Sequence, residues 1–310
     1  MAFNPCCPAR MRLLRALAAA LLLSASGRSA WGLTIAVTGD VSGPDDGIVS
    51  DAILADPSVV AVLLAGDTDN ASRTPLSGYQ ELYKGGFGRL LSKIYPCPGN
   101  HDAYSHPPFS GYLAFWRSAG RAERLYYSFD LGGWHIVSLD SPAIERGGPE
   151  AAAQLDWLKN DLAAKPKAPT LVFWHFPLFS RAKHCGDARM KPLWEAFYAH
   201  GPALVINGHN HVYERYAPMD PEGRPAAQTR GIREFVISPA GSGPAEKQCR
   251  KASGPAPERF HGGTQHVGFF ALEADGSYRF TVKSVSGKGL SEVVDAGAGR
   301  LSEPPAPRRD

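Results

Sequence analysis

The chain has 310 residues, of which 44% are hydrophobic and 20% charged. That composition excludes a disordered protein and suffices for one large or two small globular domains with a real core. The formal charge of +3 is a property of the first 32 residues, which contain Arg10, Arg12, Arg15 and Arg28 and no acid; without them it falls to −1. A basic nucleic-acid surface is thereby excluded, since Arg121 to Arg124 is interrupted by Ala122 and Glu123.

In chain order, the basic start and the apolar stretch Leu13 to Ala25 predict a secretory signal over residues 1–32, cleaved after Gly27 or after Gly32. The apolar core is shorter than the roughly 20 residues that span a bilayer, so no membrane anchor is expected after cleavage. The protein is thus expected to be secreted or periplasmic. Cys6 and Cys7 leave with the leader. Of the remaining three cysteines, Cys97 reads as a buried thiol at a strand end. Cys185 and Cys249 lie in polar, glycine-containing segments that can be bridged, although sequence does not establish connectivity.

Five strand-like runs follow, each stopping at a potential metal ligand. Leu33 to Thr38 precedes Gly39-Asp40, Val59 to Ala65 precedes Gly66-Asp67, and Ile94 to Pro98 precedes Gly99-Asn100-His101-Asp102. Later, Thr170 to Trp174 precedes His175, and Ala203 to Asn207 precedes Gly208-His209-Asn210-His211. Carboxyl ends of strands in α/β sheets are where ligands collect. Helices are predicted at 45–55, 76–92, 149–164 and 187–200. A hairpin is predicted from Leu125 to Asp130 and from Trp134 to Leu139 around Gly132-Gly133. Glu234 to Ser238, His266 to Glu273 and Tyr278 to Val285 read as strands, and 241–263 as a long mobile loop. One domain is expected over 33–295, with a loose tail over 296–310. Alternation of strands and helices argues for an α/β sandwich.

Each strand-end signal is weak alone, because Asp and Gly are ordinary turn residues and Asn caps helices. Together GD (39–40), GDTDN (66–70), GNHD (99–102), WHFP (174–177) and GHNHVYER (208–215) resemble the calcineurin-like metallophosphoesterase superfamily. YYSFDLGGWHIVSLDS and GIREFVISPAGS extend the similarity to the purple acid phosphatase-like branch over roughly residues 33 to 285. The resemblance implies a four-layer α/β/β/α sandwich with a dinuclear metal site at strand C-terminal ends. It implies that Asp67 bridges two divalent or mixed-valence ions, with Asp40 and His211 on the first and Asn100, His175 and His209 on the second. Such donors suit Fe, Zn or Mn, and a metal pair can turn a shared water into hydroxide that attacks phosphorus.

His101 occupies the position where the family keeps a phosphate-contacting histidine, and Asp102 is expected to orient it. His184, nine residues after His175, is the second candidate general acid. The branch's iron-binding tyrosine, three residues after the bridging aspartate, is here Asn70, so no purple colour is expected and Asn70 or Asp69 is left to supply an oxygen. Glu214 and Arg215 read as a buried ion pair bracing the His209/His211 turn. The expected activity is hydrolysis of small phosphate monoesters. A phosphodiesterase is the nearest rival, decided by the loops 102–112 and 179–189, and a non-catalytic metal-stabilised binding protein is the reading from a different class.

Overall fold

The computed structural model describes residue 1 and residues 32–301, apart from 44–45, 73–74, 228–229, 247, 250, 252–253 and 288–290. Nearly all of the expected leader and residues 302–310 of the expected tail lie outside the described residues. Among the described residues, no helix is long and apolar enough to cross a membrane.

The runs that end in candidate ligands are apolar on both faces, the pattern of strands covered on both sides. They form β1 (Leu33–Thr38), β2 (Val59–Ala65) and β3 (Ile94–Cys97), which are parallel neighbours. β4 (Tyr127–Leu131) and β5 (Trp134–Ser138) make the expected hairpin, its Gly132-Gly133 turn having both φ angles positive, as a two-residue hairpin loop of this kind requires. β6 (Thr170–Phe173), β7 (Ala203–Asn207), β8 (Tyr213–Arg215), β9 (Arg233–Ile237) and β10 (Arg259–His261) complete this second sheet, in the order β10-β8-β9-β7-β6-β5-β4. β11 (Gln265–Leu272), β12 (Ser277–Val285) and β13 (Ser291–Arg300) return to the first sheet, whose order is β13-β12-β11-β1-β2-β3.

The period of two along each strand sorts side chains into separate cores. Ile35, Val37, Ala61 and Leu63 meet Ile136, Leu171, Phe173 and Leu204 between the sheets. Ala36, Val62 and Leu64 face outward onto helices α1 (Asp46–Leu54), α2 (Leu76–Leu82) and α3 (Ser110–Ser118). Val137, Val172 and Val205 face the other way, onto α4 (Ser141–Arg146), α5 (Pro149–Ala163) and α6 (Lys191–His200). The result is the expected four-layer α/β/β/α sandwich. The aromatic residues Phe115, Trp116, Trp194 and Phe197 are core.

Four expectations need correction. The single helix at 76–92 is interrupted: α2 stops at Leu82, and a 3₁₀ stretch begins at Gly86 after Gly85, since adjacent glycines are poor in a helix interior. The helix at 187–200 likewise starts with a 3₁₀ turn, Ala188–Met190, and becomes α-helical at Lys191, with Pro192 in the first turn where it needs no N–H partner. Residues 296–300 belong not to a loose tail but to β13, paired with β12 from Ala296–Thr281 to Arg300–Ser277. The 241–263 segment is pinned rather than free, because β10 pairs with β8 and Cys249 is disulfide-bonded to Cys185. Cys97 is the buried free thiol.

Candidate metal centre

The parallel strands of both sheets point their carboxyl ends at the same rim, and the residue after each apolar run turns into it. The turns are tight: Asp40, Asp67, His209 and His211 all take positive φ, which non-glycine residues adopt only when the surroundings enforce it. Glycines let the loops approach. A Cβ on Gly99 would lie 2.1 Å from Asp67 Oδ1, and one on Gly66 would lie 2.4 Å from His175 Nδ1.

The donor atoms converge. Asp40, Asp67 and His175 each offer an atom within 4.8 Å of the others, and all three are buried. His175 Nε2 lies 3.2 Å from Asp67 Oδ2 and 3.2 Å from Asn100 Oδ1. His211 Nε2 lies 3.2 Å from Asp40 Oδ1. The His209 ring packs 5.0 Å from the His175 ring and 4.9 Å from that of His184. The six expected ligands are therefore brought together.

Backbone groups hold one side of four of the donors, His175, His211, Asp67 and Asp40, and leave the other side toward the rim. His175 Nδ1 is 2.9 Å from the Ala65 carbonyl and His211 Nδ1 is 2.7 Å from that of Gly243. A carbonyl can only accept, so each Nδ1 carries a proton and each Nε2 faces the rim, where loss of its own proton would leave a lone pair for a cation. Asp67 Oδ1 accepts the His101 N–H at 2.8 Å and Asp40 Oδ2 accepts the His209 N–H at 2.9 Å, which leaves the second oxygens inside the site. Asp40 Oδ1 and Asn70 Oδ1 are buried without a hydrogen-bond partner. Buried acceptors of this kind are costly unless something fills the gap. Oxygen and imidazole donors of this kind fit a cation, and Asn70 Oδ1 offers a further unpartnered oxygen, its backbone N–H being bound to the Val41 carbonyl at 2.8 Å. Asp69 Oδ1 accepts the Ala71 N–H instead.

Electrostatics carry the same imprint. Burial disfavours charge on Asp40, yet His211, His175 and His209 outweigh it and hold the carboxyl well below its ordinary range. Burial also opposes a proton on His175, but Asp67 and Asp40 push its pKa up to about 9. Burial, with His175 adding to it, drives His209 well below the ordinary value.

The catalytic candidates divide. His101 stands beside the site, with Nε2 3.9 Å from Asp67 Oδ2 and Nδ1 2.6 Å from Ser72 Oγ. Asp102 does not orient it, which corrects the sequence expectation. The Asp102 carboxylate is fully buried and accepts from Thr68 N–H and Oγ1, Asp69 N–H, Gly99 N–H and Tyr79 OH at 2.6–3.2 Å. It ties the loop after β2 to the loop after β3, and its hydrogen bonds go to those loops and to Tyr79. His184 reaches the rim, held by its N–H to Asn210 Oδ1 at 3.0 Å, while Asn210 Nδ2 donates to the Cys185 carbonyl at 3.0 Å. Burial, followed by Lys183 and His211, pushes the His184 pKa down.

Glu214 and Arg215 do not pair with each other, since neighbouring residues of a strand point to opposite faces. Glu214 is buried and accepts the Arg181 N–H at 2.8 Å, and Arg215 pairs with Asp295 at 2.7 Å and with Glu258. Two contributors escaped sequence reasoning: Ser72, which has no motif, and Asn210, whose position between two candidate ligand histidines was legible but whose task was not. Asp140, at the end of β5, also looks like a strand-end ligand; its Oδ1 instead accepts the Ala143 N–H at 3.0 Å and caps α4.

A family model described as calcineurin-like phosphoesterase matches residues 33–213. Purple acid phosphatase 18 of Arabidopsis thaliana is 30% identical over 192 residues, 56% of this chain and 42% of that protein. The aligned part thus spans less than half the length of that relative. Among solved structures, purple acid phosphatase PPD1 from yellow lupin superposes with a TM-score of 0.65 at 16% identity, over 87% of this chain and 54% of that one. GAP50, the anchor in the inner membrane complex of Plasmodium, superposes with a TM-score of 0.66 at 14% identity, over 88% of this chain and 90% of that one. At such identities these structures speak for the fold alone.

Proposed function

Because the chain belongs to the calcineurin-like phosphoesterase family, we propose that it is a metal-dependent phosphoric ester hydrolase with a dinuclear centre, acting on small phosphate esters, monoesters among them. The observation that carries this reading is the set of oxygen and imidazole donor atoms about 3.2 Å apart that strand-end loops deliver to one rim, with Asp40 Oδ1 left without a hydrogen-bond partner. Asp40, His211 and Asn70 would hold one ion, Asn100, His175 and His209 the other, and Asp67 both. Fe, Zn and Mn are the ions such a mixed oxygen and imidazole set suits. A metal pair supplies there a Lewis-acid clamp for phosphoryl oxygens and a nucleophilic water near neutral pH.

The chain's own residues do the rest. His101 donates a proton to the departing ester oxygen. Ser72 Oγ fixes its ring through Nδ1, so that Nε2 faces the rim beside Asp67. His184, whose pKa is pushed down, is neutral near pH 7 and serves as a polar wall for the substrate rather than as the acid. Asp102 holds the loops that present Asp67 and His101 in register. Export to the periplasm or the medium is supported by the Cys185–Cys249 bridge, since such bridges persist in oxidising compartments. No nucleic-acid or membrane partner is part of this reading.

The test is elemental analysis of the purified protein together with turnover of 4-nitrophenyl phosphate. Bound metal and hydrolysis, with His101→Ala keeping the metal and losing turnover, is the expected result. Bound metal without hydrolysis of any phosphate ester would favour a metal-stabilised binding protein instead.

A further inference from the structure

We infer that Glu214 and Glu234 are positioning residues for the substrate site, because together they fix the loop 177–187 that carries His184. The inference deepens the preceding reading and rests on its use of His184 as a wall for the substrate. The two acids share one face of adjacent strands, since β8 and β9 place Glu214 opposite Val236, two residues from Glu234. Both are fully buried. Their task lies in the segment after β6. Residues 176–180 are buried yet belong to no strand or helix, so no sheet partner serves their N–H groups and bulk water does not reach them. A buried N–H left without an acceptor is costly. Glu234 Oε1 accepts from the Leu178 N–H at 3.0 Å and from the Phe179 N–H at 3.5 Å, and Glu214 Oε1 accepts from the Arg181 N–H at 2.8 Å.

Beyond this anchor the chain turns back, and the Asp187 N–H donates to the Pro177 carbonyl at 2.8 Å, which closes the loop. A Cβ on Gly186 would lie 2.2 Å from the Leu178 carbonyl oxygen, so the two limbs touch. Displacing the outgoing limb therefore displaces the returning one. His184 is where the loop meets the site: its ring lies 4.9 Å from that of His209. It lines two cavities, one of about 530 Å³ that also touches Asn100 and His209, and one of about 520 Å³ that touches His211. Pro177, Gly186 and Asp187 of the same loop line the first. Asn210 and the disulfide hold the tip of the loop, whereas the two acids hold its root. His175, three residues before Leu178, has anchors of its own in Ser141 Oγ and the Ala65 carbonyl. Loosening the root should thus weaken substrate binding and spare both the donor atoms and His101.

Glu234→Leu and Glu214→Leu remove the acceptor at little change in side-chain volume. In metal-loaded protein each is expected to speed hydrogen exchange over 177–187 by about tenfold or more relative to the rest of the chain, as for a buried N–H that has lost its anchor. KM for 4-nitrophenyl phosphate is expected to rise about fivefold or more, with kcat within about twofold and metal content unchanged. Glu234→Gln and Glu214→Gln keep an oxygen at the same reach, and are expected to restore KM to within about twofold. Should a leucine variant fail to fold, Glu234→Asp and Glu214→Asp, which keep the charge and withdraw the oxygen, are expected to show the same rise in exchange and in KM. Unaltered exchange over 177–187 in the folded variants would overturn the inference. Lost metal, or lower stability with KM unchanged, would assign the acids to His175 or to the fold alone and sink it equally. Glutamine variants as impaired as the leucine ones would do the same. If the metal-loaded parent hydrolyses no ester, the preceding reading fails, and exchange over 177–187 alone then decides whether the acids hold the loop.

Discussion

Asp40 and Asp102 are both fully buried carboxylates one loop apart from Asp67, and they have opposite fates. Five donors converge on Asp102, from Thr68, Asp69, Gly99 and Tyr79. Asp40 has one oxygen bound to a backbone N–H and the other bare, next to a histidine whose Nε2 also faces the gap. The first is a structural clamp, whose worth is the hydrogen bonds it completes. On the proposed reading the second is a metal ligand, whose burial cost is offset when a cation binds. A buried acid next to a site is thus classified by its unfilled lone pairs, not by its burial or its place in a motif.

The comparison is most exposed to Asp67→Ala. This substitution is expected to abolish turnover and to leave fewer than about one metal ion per chain by elemental analysis, because metal binding and folding share the same donors. Two ions retained per chain would break the bridging assignment. His101→Ala is expected to keep its metal and lose about 10²–10⁴-fold in kcat, the range for a positioned acid. An unchanged kcat on an ester with a poor leaving group would move the acid elsewhere. Disruption of the clamp by Asp102→Ala strands several donors, and is expected to cost roughly 3 kcal/mol or more in denaturant unfolding with chelator present. If Asp102 instead acted on His101, the loss would appear in kcat with stability unchanged.

The Cys185–Cys249 bridge closes a loop with a sequence separation of 64, so Cys249→Ser is expected to cost about 4 kcal/mol on a chain-entropy argument. The smallest effect concerns another buried acid. Burial raises the Glu214 pKa from about 4.5 to about 7, so the folded state holds its proton when the unfolded state has lost it. Stability is therefore penalised as pH rises from 4.5 and the penalty is complete above 7. Glu214→Gln can still accept the Arg181 N–H, and is expected to raise the melting temperature at pH 8 and leave it unchanged at pH 4. A uniform shift at both pH values would show that charge on Glu214 is not the cause.

Much of the fold was legible because the strand signal is local. The runs at 33–38, 59–65 and 203–207 are strands over those same residues, since continuous apolar side chains at that length have few other uses. β13 was missed because Ala296, Gly297, Ala298 and Gly299 give no alternation; that strand exists only because β12 offers it an edge. β8 and β10 are three residues each, too short for any periodicity. The candidate ligands were legible because hard donors immediately after buried strands form an ordered series.

Residue chemistry and order along the chain determined by themselves that this is a layered α/β protein and which side chains lie on its rim. Only tertiary structure decided what each polar group faces. Asp102 and His101 are adjacent in the chain, yet one points into the loops and the other into the site. Asp140 ends a strand as Asp40 and Asp67 do, yet it caps a helix. The two cavities flanking His184 have walls drawn from residues as distant as Ala103 and His209, or Lys183 and Gly263. A side chain's role depends on whether its lone pairs are already filled, and the partners that fill them come from segments the chain brings together only on folding.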